Sequence, residues 1–310
     1  MSSARENFLG RVEAIRSILA APISTDTAPV VVPNSAAVTI RNGCAVMLFC
    51  ALEAFVRGRS GECASGLNQA VVPYTHLPEG LRYLSLVSTF EGLVNQTKYW
   101  QVSDKIVAFE KAAVATASGS LGSPYQFTDY SFARDKSNVS AADLKEIALA
   151  FYADNPWAAT VAVWAKVGIS FTDGPTELFK QLSTERHKAA HVATHNVPHA
   201  SLANSLPKAV ALAFAFDVLI SAGTKRLNGS AILGGTPPAK VTDADISFLT
   251  VKPHKSSWGV FRPGSVKAMA IKPDANTAYA AAIVKSTAQG RSTVVIDAAG
   301  RLSKWSTVIG

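Results

Sequence analysis

Cysteine, charge and long apolar runs are all scarce in this 310-residue chain, and each shortage excludes a class of protein. Its 3 cysteines, Cys44, Cys50 and Cys63, are odd in number and contain no C-x-x-C pair. That argues against a disulfide scaffold; two of the three sit in an apolar helical pattern and read as reduced, buried thiols. Charged residues make up 17% of the chain against 48% hydrophobic, which excludes a mainly disordered or coiled-coil protein. The apolar run 44–52 is stopped by Glu53 and the run 209–216 by Asp217. Both are shorter than the roughly 20 residues a bilayer span requires, so no membrane segment is expected. The first residues carry mixed charge as far as Arg16 and match neither region of a secretory signal, so a cytoplasmic chain is expected.

What remains is a globular chain long enough for a substantial core and one or two domains. Apolar spacing predicts a helix over 4–21, with Phe8, Val12, Ile15 and Leu19 on one stripe. A proline-rich connector follows at 21–34, and then a long helix over 35–59, apolar nearly all round, which belongs at the centre of a bundle. Glu53 sits in its richest apolar run and therefore needs a buried partner. Further helices are expected at 62–71, 79–97, 102–117, 140–153, 157–168, 174–194 and 201–222. Ser140 with Asp143 forms a capping-box pattern, and Asp173-Gly174-Pro175 marks another helix start. The weakly periodic stretch 119–138 reads as a long surface loop or insertion.

After Gly229 the texture changes to short runs at 246–251, 258–262, 266–271, 278–284, 293–296 and 305–309, separated by Pro, Gly, Asn and Lys. These read as about five or six strands of a small, barrel-like β domain. The expected organisation is mainly α: a helical domain over 1–229, a linker at 230–240 and a β domain over 241–310. Residues 1–222 hold 18 basic and 18 acidic side chains, whereas 223–310 hold 12 and 4, so the net +8 lies in the tail. A basic module of this kind suits a polyanion such as RNA, with Lys252, Lys255, Arg262, Arg301 and Lys304 for phosphates. Trp258, Phe261 and Trp305 could stack bases; the alternative is an ordinary β core with aromatic filling.

Four of the 6 histidines recur every four residues, at 187, 191, 195 and 199. On a helix this puts His187, His191 and His195 on one side, which suits proton transfer, a metal pair or half-exposed histidines at a helix end. No third strong ligand accompanies the pair, and neither metal nor cofactor is expected.

Arg186, the polar His187 and His191 together form an R-x4-H pattern that resembles the signature of HEPN-domain ribonucleases. The run 41–56, in which Arg41 opens an apolar stretch leading to Glu53 and Phe55, is similar to the early helix of the RiboL-PSP-HEPN and related prokaryotic branches. The resemblance covers about 1–225 and implies a HEPN-like antiparallel helical bundle. It also implies metal-independent RNA cleavage at a homodimer cleft, with His191 in proton transfer, Arg186 on the phosphate and His187 orienting its neighbours. Glu53 would orient Arg186 or Arg41, and His195 could share proton transfer. A toxin or defence effector with an antitoxin or defence-system partner protein follows from the same resemblance, as does a non-catalytic RNA- or protein-binding module.

Overall fold

The computed structural model describes residues 2–25, 35–69, 71–119, 124–229 and 239–309. Two long helices organise it: α2 (Ala36–Ser65) and α8 (His199–Gly229). Both are long and apolar enough by composition to cross a membrane, with mean hydropathies of 1.4 and 1.6, although neither contains an uninterrupted run of that length. Their apolar character is absorbed by packing. α1 (Ser3–Ala20), α7 (Pro175–His191) and α8 surround α2, and 83% of the most apolar window of α8 is buried. Removing so much apolar surface from water is the main favourable contribution to the fold.

α3 (Glu79–Gln96), α4 (Val102–Ser118), α5 (Ala141–Ala150) and α6 (Pro156–Lys166) complete the helical layer. Ser140 and Asp143 form the expected capping box at the start of α5. The helix expected at 62–71 does not exist separately, because α2 continues to Ser65. Gly58, which would check an isolated helix, is retained where a Cβ would lie 3.2 Å from Ala4 of α1. Gly223 is fixed more tightly still: α8 crosses the backbone of Phe151 so closely that a Cβ there would fall 1.7 Å from its carbonyl oxygen.

The described part of 119–138 is irregular, as expected, but it is no surface insertion. Tyr125, Ser131, Phe132 and Ala133 are buried, and Phe132 stacks between Phe127 and Phe151. Residues 120–123 lie outside the described residues, as do 26–34 of the connector and 230–238 of the linker.

The C-terminal segment forms a mixed sheet rather than a barrel. Its strands are β1 (Phe248–His254), β2 (Ser257–Phe261), β3 (Ala270–Lys272), β4 (Ser292–Ile296) and β5 (Leu302–Ser306). They lie in the order β3-β2-β1-β4-β5, with β1 and β4 parallel and the other pairs antiparallel. A parallel pair needs a crossover, and this is α9 (Ala275–Ala288), which contains the segment expected to be a strand at 278–284. Asp274 decides the difference: its side chain accepts from the Thr277 amide as an N-cap, and the alanine-rich sequence then favours helix.

The sheet is not an independent unit beside the bundle. Leu249, Val251, Val260 and Val295 face α9 with Ala278, Tyr279 and Ala282, whereas Phe248, Val294, Leu302 and Trp305 belong to the core of the helical bundle. Asp154 donates its backbone amide to the Val241 carbonyl, and Val241 donates to Tyr152, which ties the incoming chain to the end of α5.

A buried ionic cluster locks this junction. Asp217 of α8 is fully enclosed; Oδ1 accepts from Arg59 Nε (2.6 Å) and Ser221 Oγ (3.0 Å), and Oδ2 from Arg5 Nε and Trp305 Nε1, both at 2.8 Å. Arg59 also donates to Glu62, Ser221, Thr307 and the Ile309 carbonyl, and Arg5 reaches Thr307. Burial opposes the charge on Asp217, but the two guanidiniums outweigh it and hold the carboxyl below the usual aspartate range.

Asp217→Ala removes the carboxylate shared by Arg5 and Arg59 from an enclosed site and is expected to cost about 3–5 kcal/mol in urea denaturation. Since the folded-state pKa of Asp217 lies below the unfolded value, its stabilisation is complete above about pH 4 and is lost as pH falls through the folded value. Wild-type stability should therefore decline with acid in that range; a flat profile there would contradict this coupling.

Candidate functional site

α7 starts where expected, with Gly174 as N-cap and Pro175 in the first turn. Its buried stripe is Pro175, Leu178, Phe179 and Leu182, with the Phe179 ring 5.4 Å from Phe49 of α2 in an edge contact. No buried residue follows Leu182 in the helix, so its last two turns run out of the core along the surface. Arg186 is half-buried there, and His187 and His191 are exposed. The two imidazoles lie one turn apart, with ring centroids separated by 4.9 Å.

Arg186 makes no hydrogen bond or ion pair among the described residues, and its Nε is enclosed without a partner. A desolvated guanidinium donor left unpaired is costly and uncommon in a folded chain. Nη2 of Arg57 is likewise enclosed and unpaired, and it is the remaining, accessible edge of the Arg186 guanidinium that an acceptor from outside the chain could reach.

The helix stops at His191, four residues short of His195, because the chain turns before Pro198. His195 therefore does not extend the exposed histidine face. Its Nε2 lies 2.9 Å from Glu185 Oε1. His199 begins α8 and its Nε2 lies 2.9 Å from the Leu19 carbonyl oxygen. Of the four evenly spaced histidines only His187 and His191 lack a protein hydrogen-bond partner, and the described residues contain no group of three or more potential metal ligands.

The turn between α7 and α8 is held from below by α2. Arg41, fully buried, donates Nε to the Val197 carbonyl at 2.7 Å, Nη1 to the Ser24 carbonyl at 2.8 Å and Nη2 to Asn196 Oδ1 at 2.8 Å. Asn42 donates Nδ2 to the His195 carbonyl at 2.8 Å, and its Oδ1 accepts from the Val197 amide at 3.1 Å. Arg41 thus supports the site by clamping its backbone. The expected pairing of Glu53 with Arg41 or Arg186 is not formed: the Glu53 carboxylate accepts from the Val139 amide at 2.6 Å, ahead of the capping box of α5. Arg57, one turn further along α2, instead donates its Nε to the Ala133 carbonyl at 2.9 Å.

Asn42, Asn196 and Glu185 are the site residues that sequence reading missed. The available signal was the Arg41-Asn42 pair, two strong polar groups at the start of an otherwise apolar helix, which must meet partners once buried.

The tail residues expected to bind RNA do not form one patch. Lys252, Lys255, Arg262, Arg301 and Lys304 are exposed, as expected of phosphate ligands. However, Lys252 pairs in register with Gly259 and lies over the Phe261 ring at 4.7 Å, on the face turned away from α9. Lys304 lies over Tyr279 of α9 at 4.9 Å, on the opposite face, and Trp258 packs toward the α9 side. Arg301 pairs with Asp297 at 2.9 Å. Phe261 and Trp305 are buried and unavailable for stacking, and the Trp305 indole is committed to Asp217. Alternation along each strand separates residues that looked clustered in sequence.

No family model, curated protein or solved structure matches the chain.

The clamp makes a stability prediction. Asn42→Ala leaves the His195 carbonyl and the Val197 amide without side-chain partners, and should cost about 1–3 kcal/mol in urea denaturation. Unchanged stability would show that water or neighbouring groups replace the amide.

Proposed function

We propose that the chain is a HEPN-type, metal-independent endoribonuclease acting as a homodimer. The observation that carries this reading is the unpaired, half-buried Arg186 on the outward end of α7, beside two histidines that are free of protein hydrogen bonds and 4.9 Å apart. Cleavage of RNA by its own 2′-hydroxyl requires a base for that hydroxyl, an acid for the departing 5′-oxygen and positive charge at the pentacoordinate phosphorus. Imidazoles and a guanidinium supply all three.

His191 takes the role in proton transfer, Arg186 binds the phosphate oxygens through the edge of its guanidinium not enclosed by protein, and His187 orients the neighbouring groups. The products are a 2′,3′-cyclic phosphate and a 5′-hydroxyl. Positions five apart on a helix are turned by about 140° and separated by about 7.5 Å along the axis, so one copy offers Arg186 and His191 to different directions. A two-fold axis beside the end of α7 would let Arg186 of one copy and His191 of the other meet one phosphodiester. His195, held by Glu185, supports the shape of this end rather than the chemistry.

RNA is the substrate in this reading, and the exposed Lys252, Lys255 and Arg262, in and next to the β1–β2 hairpin, add separate phosphate contacts. A cytoplasmic setting and a toxin or defence role, with a neutralising partner protein, follow from the same assignment.

Incubation of the chain with total RNA in EDTA should give fragments ending in cyclic phosphate and 5′-hydroxyl. His191→Ala should slow cleavage by about 10²–10⁴-fold, the usual worth of positioned proton transfer. Arg186→Ala should abolish detectable cleavage while leaving the denaturation midpoint close to wild type. Binding of RNA without any cleavage would replace the nuclease with a non-catalytic RNA-binding module, and products with 3′-hydroxyl ends would contradict the chemistry.

A further inference from the structure

Exposed apolar side chains are concentrated in one part of the molecule. Of the 18 large hydrophobic side chains that the described residues leave exposed, 10 lie between Tyr83 and Val114, on α3, α4 and the turn joining them. Val87 and Val94 of α3 are 38% and 60% exposed, and Val102, Ile106, Val107 and Val114 of α4 are between 48% and 73% exposed. In α4 only Ala112 and Thr116 are buried, and its substantial packing is against α3 alone. A helix with so small a buried stripe is held weakly by its own chain. Apolar patches of this concentration mark interaction surfaces.

The charges on α4 identify the occupant. Asp104 and Lys111 are seven residues apart and so lie on the same flank of the helix, along a groove of about 690 Å³ that Trp100, Val107, Phe127 and Tyr130 also line. If a second α4 lies antiparallel across a two-fold axis between Val107 and Ala108, each Asp104 falls level with the second copy's Lys111. Lys105 takes no part, since its Nζ donates to the Lys98 carbonyl of its own chain. The Asp104–Lys111 pair is thereby matched twice across the axis, while Val107 and Val114 are covered. A parallel arrangement in register would set each charge against its own kind.

We propose that the α3–α4 face is a self-association surface on which two copies pack α4 antiparallel about a two-fold axis. The interface is isologous, as a closed dimer requires. It is separate from the α7 end invoked for catalysis, because α7 packs on α2, α5, α6 and α8 and has no substantial contact with α3 or α4. The inference therefore stands whether or not the chain cleaves RNA.

Sedimentation equilibrium of the full chain tests it. The wild type is expected at twice the chain mass or more, and Val107→Glu should halve that mass. Asp104→Lys and Lys111→Asp should each weaken association at least tenfold, since each sets like charges together twice per dimer. The double variant D104K/K111D should recover most of the wild-type association, which rules out misfolding as the cause of the single-variant losses. A wild type that remains monomeric, a mass unaffected by Val107→Glu, or a double variant as weak as either single one would overturn the proposal.

Discussion

The constraint on which the molecule depends is the enclosure of Asp217 by two arginines from distant parts of the chain. Arg5 lies 212 positions away and Arg59 158 positions away, yet both place a guanidinium nitrogen within 2.8 Å of one carboxylate. A carboxylate in an apolar interior is tolerable only with its oxygens fully occupied, and here four donors surround it. The donors come from α1, α2, α8 and β5, so the four segments cannot separate without exposing or orphaning a charge. Such a cluster adds little net stability beyond an apolar core of equal volume. What it does impose is a single arrangement, because no sliding of β5 along the bundle preserves the Trp305 contact.

The same physics operates twice more on α2. Arg41 is buried at its beginning and resolves its charge on two backbone carbonyls and Asn196, thereby fixing the turn after α7. Glu53, near its middle, takes the Val139 amide ahead of α5. Arg41 and Glu53 are thus each a tether to a loop, and the loop held by Arg41 is the one that follows the exposed end of α7. Two guanidinium nitrogens are left enclosed and unpaired among the described residues, Nη2 of Arg57 on α2 and Nε of Arg186 on α7. Functional sites are where uncompensated polar groups tend to collect, and Arg186 sits beside the two histidines left without protein hydrogen bonds.

Periodicity in the sequence determined most of the helices, because an apolar stripe that repeats every 3.6 residues has only one way to be buried at low cost. The boundaries of α1, α3 and α4, the start of α7, the capping box at Ser140 and the central place of α2 all follow from local pattern. So does the R-x4-H pattern at the end of α7, with its arginine and histidines placed where solvent can reach them.

Tertiary structure, with one local signal at Asp274 that the sequence reading passed over, decided the rest. Whether 278–284 became strand or helix depended on an N-cap and on a parallel strand pair that needed a crossover. The fusion of sheet and bundle depended on Trp305, which reads from sequence as one more aromatic in a basic tail and is in fact a donor to Asp217. The partners that Arg41, Glu53 and Asp217 find outside their own helices lie from 17 to 212 residues away along the chain. Charge and burial announce that such partners must exist; only the packing of the chain selects them, because the electrostatic requirement is satisfied by any donor or acceptor that geometry brings within reach.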